Sequence, residues 1–401
     1  MIVKVSEKIS LKEQITLFKN CVEGGLDLNL ELKKLGLTYN HLRYRNYTPT
    51  EITINEYQSI EELRQIPKGI PAISFFSGAG GLDIGFDYAG FNNLASIEIN
   101  ELFCETLRLN YPKHLVIGPP DFSGDLKDRE NIANVLRSSL GIKSPFEGVF
   151  HGGPPCQPFS IASNQRFTKE DENFKRKGFS DTEKGDLLND YVWFISEFKP
   201  KVFIIENVPG LNAIDNGKEL NKSLEQLAKI GYNISKPQIV NTADYGVPQK
   251  RLRLIIVGTR ANDKFEFPKI SLFQTPCFDV FAKPVEDIEN HITREHTAQS
   301  IMRYMELNFG ERDHLGRVDR LNPYLPSKTV IAGGTKGGGR SHLHPYSPRT
   351  LSVRESARLQ TFPDDYIFTG SSARQFTQVG NAVPPLLAFK LAFQIYNQFY
   401  K

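Results

Sequence analysis

The stretch PAISFFSGAGGLDIGF at 71–86 decides the fold class. Its first six residues suit a buried strand, its middle is a glycine-rich turn, and its end is apolar at helical spacing. A strand, a glycine turn and a helix in that order open a parallel α/β sheet whose backbone can approach a nucleotide-like ligand. The dinucleotide pattern G-x-G-x-x-G would need glycines at 78, 80 and 83. Position 83 is Asp, so the pattern fails at its third element, and no G-K-[ST] follows to make a P-loop. Taken alone, the turn reads equally as a structural tight turn or a ligand site.

Downstream, short apolar runs alternate with helical stretches, the signature of such a sheet. The runs are NLASIEI (93–99), HLVI (114–117), EGVFHG (147–152), KVFII (201–205) and LRLIIVG (252–258). Helices are expected over 101–110, 128–138, 186–198 and 218–230. Ligands bind outside the carboxyl ends of such strands, so the residue after each run matters most. Glu98 ends the second run, 20 residues after Gly78, where an acid can accept from both ribose hydroxyls. Asp125 follows the next run and suits an adenine amino group. Together they suggest an adenosine ligand without a pyrophosphate.

The fourth run leads into GPPCQPFS (153–160). Pro154, Pro155 and Pro158 fix φ around Cys156 and aim its thiol from the sheet edge. An arbitrary cysteine is usually a small apolar filler, but a proline-braced loop is a poor place to pack one, which favours a thiolate nucleophile. Glu206, after the fifth run, falls in the same crevice as a proton donor or hydrogen-bond partner. Arg251 and Arg253, two apart at a strand start, share a face and suit a carbonyl oxygen or a phosphate.

The 401 residues allow two or three domains, and 39% apolar with 24% charged residues is an ordinary globular composition. No apolar run is long enough to span a membrane, and the first ten residues lack a signal core, so a soluble, cytoplasmic protein is expected. The four cysteines, at 21, 104, 156 and 277, form no C-x-x-C pair, and no metal site is expected. The net charge of +3 hides a segment, 312–354, that carries eight cations against two acids, offset by −3 elsewhere. That segment reads either as a solvated basic face or, with GGTKGGGR at 333–340, as a surface that meets phosphates.

These residues closely resemble the S-adenosylmethionine-dependent DNA cytosine-5 methyltransferases, especially bacterial restriction-modification enzymes. FSGAGG, GPPCQPFS, ENV, QKRLR, RTLSVRESARLQTFPDDY and QVGNAVPP match the family's motifs in order, over about 71–260 and 326–395. The resemblance implies a Rossmann-like methyltransferase sheet with an inserted, smaller and irregular target-recognition domain. It implies an S-adenosylmethionine site of Phe76, Gly78, Gly80, Leu82, Glu98, Ile99, Asp125, Leu126, Pro155, Leu187 and Asn381. It makes Cys156 the nucleophile, Glu206 the group that binds and protonates cytosine N3, and Arg253 the ligand of cytosine O2, with Arg251 and Gln249 in support. DNA contacts are expected from Gln157, Ser160, Arg317, Arg320, Thr329 and Arg340. Residues 160–185 resemble a mobile loop that closes on DNA.

The expected domains are an N-terminal extension at 1–70, a catalytic domain at 71–260, a recognition domain at 261–345, and a segment at 346–401 that returns to the catalytic domain. The expected partners are double-stranded DNA and a cognate restriction endonuclease, with a monomeric enzyme in a bacterial cytoplasm. An NAD-dependent oxidoreductase does not explain Asp83 or the braced Cys156. Methylation of an exocyclic amino group would place Asn, Asp or Ser before a Pro-Pro-aromatic motif. An RNA-directed relative shares the chemistry but not the long recognition region, and intact Cys156, Glu206 and Arg253 argue against a silent DNA-binding regulator.

Overall fold

The expected strands assemble into one eight-stranded sheet in a computed structural model that describes residues 2–3, 8–47, 50–51, 59–155, 187–211, 217–332 and 342–401. By contact the chain forms two units: Ile60–Tyr245, Arg251–Ser271 and Ala382–Lys401 make one, and Met1–Ser59, Gly246–Lys250 and Leu272–Asn381 make the other.

The first unit holds the sheet, with strands β1 (Ile70–Phe75), β2 (Phe91–Ile97), β3 (Leu115–Ile117), β4 (Val149–Gly152), β5 (Val202–Asn207), β6 (Asn233–Ile234), β7 (Gln238–Asn241) and β8 (Leu252–Thr259). Their order is β3-β2-β1-β4-β5-β8-β6, with β7 also paired to β8. The first five run parallel, whereas β8 is antiparallel to β5, β6 and β7. Strands buried on both faces must be apolar over most of their length, as Val202–Ile205 of β5 and Leu254–Val257 of β8 are. The parallel sheet expected from the alternating pattern therefore gains an antiparallel edge, because β8 returns beside β7 through the connection 242–251, which holds a short 3-10 helix in place of a crossover helix.

Helices Gly81–Tyr88, Glu101–Asn110, Arg129–Leu140, Leu187–Phe198 and Lys218–Lys229 flank the strands close to the expected positions. Phe75, Phe150, Tyr191, Phe194 and Phe198 lie in the main core, and the Tyr191 hydroxyl donates to the Ile204 carbonyl at 3.0 Å. The final helix, Pro385–Phe399, starts with proline at its first turn and packs on Gly81–Tyr88 through a buried apolar face. The order of strands reverses between β1 and β4, which makes the crevice beyond their carboxyl ends the ligand position of a doubly wound sheet.

The second unit contains the N-terminal helices Leu11–Glu23 and Leu28–Lys34. Ser10 and Glu13 form a capping box on the first, and Asp27 caps the second, which ends just before Gly36. Phe18, Leu28, Leu32, Tyr39 and Leu42 share a core with Ile301, Tyr304, Met305, Val318 and Leu343. Contact groups 1–59 and 346–381 with 272–345, where the sequence reading set 1–70 and 346–401 apart from that block. Only 382–401 rejoins the sheet. No helix among the described residues is long and apolar enough to cross a membrane.

Candidate functional site

The turn after β1 needs left-handed backbone at Phe76 (φ 53°), Gly78 (φ 57°) and Gly80 (φ 73°). Glycine meets this without strain at two of the three positions, which accounts for the glycine-rich sequence. Gly80 then starts the helix Gly81–Tyr88, with Leu82 buried in its first turn.

Asp83 occupies the place where a dinucleotide site has its third glycine. Its carboxylate is fully enclosed and accepts from Ser74 at 2.9 Å and Ser96 at 2.6 Å, while Asn93 donates to its carbonyl. Burial pushes the acid up to about 6 against these hydrogen bonds. The failed glycine is thus a polar tie holding the turn to β1 and β2. Its signal in the sequence was visible only as a mismatch.

Glu98 follows β2 and is 8% exposed. Oε2 accepts from the Gly78 N–H and Oε1 from the Asn100 N–H, each at 2.8 Å. Burial raises its pKa, with these backbone donors opposing. Each carboxylate oxygen can accept more than one hydrogen bond, so the acid that anchors the turn keeps capacity for ligand hydroxyls. Beside it, the Ile99 side chain is left 58% exposed, an apolar face suited to a planar base. Asp125 is half-buried and accepts from the Lys127 N–H, and Leu126 beneath it is buried. The donor and acceptor set of Phe76, Gly78, Glu98, Ile99, Asp125 and Leu126 fits an adenosine moiety.

The register brings the second half of the site to the same edge. Phe75 pairs with Gly152, and Gly152 with Ile205, so Gly153 to Pro155 emerge beside Glu206. A side chain at Gly153 would meet Glu206 Oε2 at 2.6 Å, which explains the glycine there. The Asn207 side-chain amide donates to the Pro154 carbonyl at 3.3 Å and secures that loop. Cys156, Gln157 and Ser160, with the expected mobile loop, lie outside the described residues.

Arg253 Nε contacts Glu206 Oε1 at 2.6 Å, both side chains being about nine-tenths buried. Burial raises the pKa of Glu206, while Arg253 and then Arg251 pull it back. Arg251 is 3% exposed, and burial with the Arg253 charge drives its pKa well down despite Glu206. The result is a carboxyl whose proton burial favours and whose charge Arg253 and Arg251 favour, with Arg253 in direct contact.

Leu187 begins the helix Leu187–Phe198 and is half-buried, whereas Asn381 is exposed at the end of the helix Ser372–Asn381, in the other unit. Gln249 is wholly buried there, donating to Gln360 at 2.7 Å and accepting from the Val330 N–H at 2.8 Å. Thr329 is exposed, and its hydroxyl donates to the Lys250 carbonyl.

The expected basic surface is largely dismantled. Arg320, Arg349 and Arg354 are at most 2% exposed. Arg320 lies 3.5 Å over Tyr44 and 4.2 Å from Phe309, and donates to Asn46, Leu307 and Pro345. Arg349 makes a two-pronged pair with Glu355, and Arg354 donates to Glu289, Asn290, Pro363 and Tyr366. The expectation that Arg320 touches DNA is corrected: its guanidinium is spent on packing. Arg312 and Lys328 both pair with Asp319. Arg317 is exposed and makes no ion pair among the described residues; Lys336 and Arg340 lie outside them. Cys21, Cys104 and Cys277 are buried, as expected of packing residues.

The fold is shared with solved methyltransferases. A protein described as a DNA modification methyltransferase encoded within an E. coli prophage superposes with a TM-score of 0.67 at 24% identity, covering 83% of this chain and all of that one. The chain belongs to the C-5 cytosine-specific DNA methylases, whose family model matches residues 70–397, and is thus a DNA (cytosine-5-)-methyltransferase of a family that depends on S-adenosylmethionine. Type II methyltransferase M1.HphI of Haemophilus parahaemolyticus is 34% identical over 340 residues, spanning 80% of this chain and 85% of its own length. Type II methyltransferase M.PspPI of a Psychrobacter species is 33% identical over 348 residues, spanning 80% and 77%.

Proposed function

We propose that this enzyme methylates C5 of a cytosine rotated out of a specific duplex DNA sequence, through a covalent bond between Cys156 and C6. The observation that supports the reading most is the buried Glu206–Arg253 pair beside the proline loop that leads to Cys156.

Cytosine C5 is a weak nucleophile. Addition of the Cys156 thiolate to C6 makes it an enamine carbon, provided that N3 takes a proton as the C5–C6 double bond is broken. Glu206 supplies and holds that proton, and Arg253 binds O2, keeping the ring oriented while it neutralises developing charge. Phe76, Gly78, Glu98, Asp125, Pro155 and Leu187, with Asn381 completing the pocket, would hold S-adenosylmethionine, which would supply an electrophilic methyl group for C5 and leave as S-adenosylhomocysteine. Loss of the C5 proton to a base then returns an electron pair to the ring and expels the Cys156 sulfur. Rotating the base out of the stack costs a few kcal/mol, recovered in contacts with the pocket and the strand.

Thr329 contacts the backbone beside the rotated nucleotide, and Gln157, Ser160, Arg317 and Arg340 contact the DNA. The enzyme acts as a cytoplasmic monomer and protects host DNA from an endonuclease that cuts at the same sequence. The test is transfer of a radiolabelled methyl group from S-adenosylmethionine to duplex DNA by wild type and Cys156→Ser. Label on C5 of cytosine with wild type alone is expected; transfer that survives Cys156→Ser would sink the covalent reading.

A further inference from the structure

Loss of Arg320, Arg349 and Arg354 to packing leaves the second unit with a much smaller exposed cationic surface than its composition suggests. Among the described residues of 312–354 the exposed cations are Arg312, Arg317 and Lys328, and the first two lie on one hairpin. Strands Arg312–Asp313 and Val318–Arg320 pair antiparallel, Arg312 opposite Asp319 and Asp313 opposite Val318, and residues 314–317 form the tip. Three of those four, His314, Leu315 and Arg317, are exposed, Leu315 to 78%.

A single exposed leucine on a turn needs no explanation in itself. Here the turn is held rigid from within. Asp313 is buried; one carboxylate oxygen accepts from the Gly316 N–H and the other binds Arg303 at 3.1 Å. A side chain at Gly316 would meet Asp313 at 2.6 Å and the Tyr304 hydroxyl at 2.9 Å, so the chain is pressed against its base. Arg317 adopts left-handed backbone (φ 53°), a strained conformation for a side-chain-bearing residue that persists only where its surroundings impose it. Arg312 reaches across to the Arg317 carbonyl and to Asp319, which also holds Lys328. At the far end Arg320 is clamped between Tyr44 and Phe309.

A rigid two-stranded ribbon that projects an apolar side chain between an imidazole and a guanidinium has the size and chemistry to enter the major groove of duplex DNA. Leucine offers an apolar contact to a thymine methyl, and Arg317 a two-pronged donor to guanine. We propose that the hairpin tip His314-Leu315-Gly316-Arg317 is a base-reading element of this enzyme, built on a platform that includes Tyr44 and Asn46. The proposal rests on the reading of the chain as a DNA-modifying enzyme and adds which residues choose the sequence.

The test uses full-length wild type, Leu315→Ala and Arg317→Ala, with Leu272→Ala, a still more exposed leucine outside the hairpin, as control. Each protein methylates a library of random-sequence duplexes, and bisulfite sequencing gives its consensus. The expected result is loss of discrimination in both hairpin variants at one or more positions outside the target cytosine, with kcat/KM on the wild-type site lowered about 10-fold or more. Binding of S-adenosylmethionine and melting temperature stay unchanged, and Leu272→Ala keeps the wild-type consensus. An unaltered consensus with kcat/KM within about twofold in both hairpin variants overturns the proposal. A wild type that transfers no methyl to any duplex removes the functional reading first, and the proposal with it.

Discussion

Arg253 Nε and Glu206 Oε1 stand 2.6 Å apart at the joint between β5 and β8, in a position that water scarcely reaches. The charge of Arg253 lowers the pKa of Glu206, which burial alone would raise further. If Glu206 must carry a proton for N3, activity falls as pH rises through its pKa. Arg253→Ala removes the opposing charge, so the falling limb should move to higher pH while the maximal rate drops, by roughly 10²-fold or more for loss of a transition-state contact. Single-turnover methyl transfer across pH checks this, and a limb that stays in place would show that Glu206 is not the titrating group.

Glu98 couples the glycine turn to the proposed ribose site. Glu98→Ala should weaken S-adenosylmethionine binding by about 10- to 100-fold, the usual effect of losing charge-assisted hydrogen bonds. Titration calorimetry is the direct measurement. Equal affinity in the variant would place the cofactor elsewhere.

Asp83 makes a stability prediction with a defined sign. Its folded value of about 6 lies above the 3.8 of an ordinary aspartate, so between those values the folded state holds more proton than the unfolded one. Its contribution is therefore fully present below about pH 4 and lost as pH rises through about 6, on the order of 3 kcal/mol in total. Asp83→Asn should flatten that part of the profile. Denaturant melts of both proteins from pH 4 to 7 compare the slopes, and identical slopes would contradict the assignment.

Arg320 and Arg317, three residues apart, should behave oppositely. Arg320→Ala strips a buried cation from Tyr44 and leaves the carbonyls of Leu307 and Pro345 without their donor, at a cost of roughly 3 kcal/mol or more. Arg317→Ala should leave the melting temperature within a degree or two while reducing the salt dependence of DNA binding. Thermal melts alongside binding at several salt concentrations separate the two, and a stable Arg320→Ala would refute its packing role.

The parts of the molecule visible in the sequence are those that local pattern encodes. The helix Glu101–Asn110 lies where expected because its cap, Asn100, announces its start. Strand ends placed Glu98 and Glu206 at one sheet edge because every parallel strand delivers its next residue there, whereas Arg253, at a strand start, reaches that edge only because β8 runs antiparallel. Contacts between distant segments were not visible. Nothing near Arg320 or Arg349 signals Tyr44 or Asn40 some three hundred residues earlier, so buried guanidinium groups were counted as surface charge. The antiparallel β8 was missed because an apolar run carries no mark of its direction.

Contact divides the chain so that it passes between its two units five times, and the unit built from 272–381 also requires 1–59 and 246–250. Shuffling one contiguous block between relatives would therefore separate Arg320 from Asn46 and Arg349 from Asn40. A chimera that imports 272–381 alone inherits cations without their sockets, so new specificities in this lineage are expected to arise by point changes at exposed tips or by exchange of the N-terminus together with the distal block.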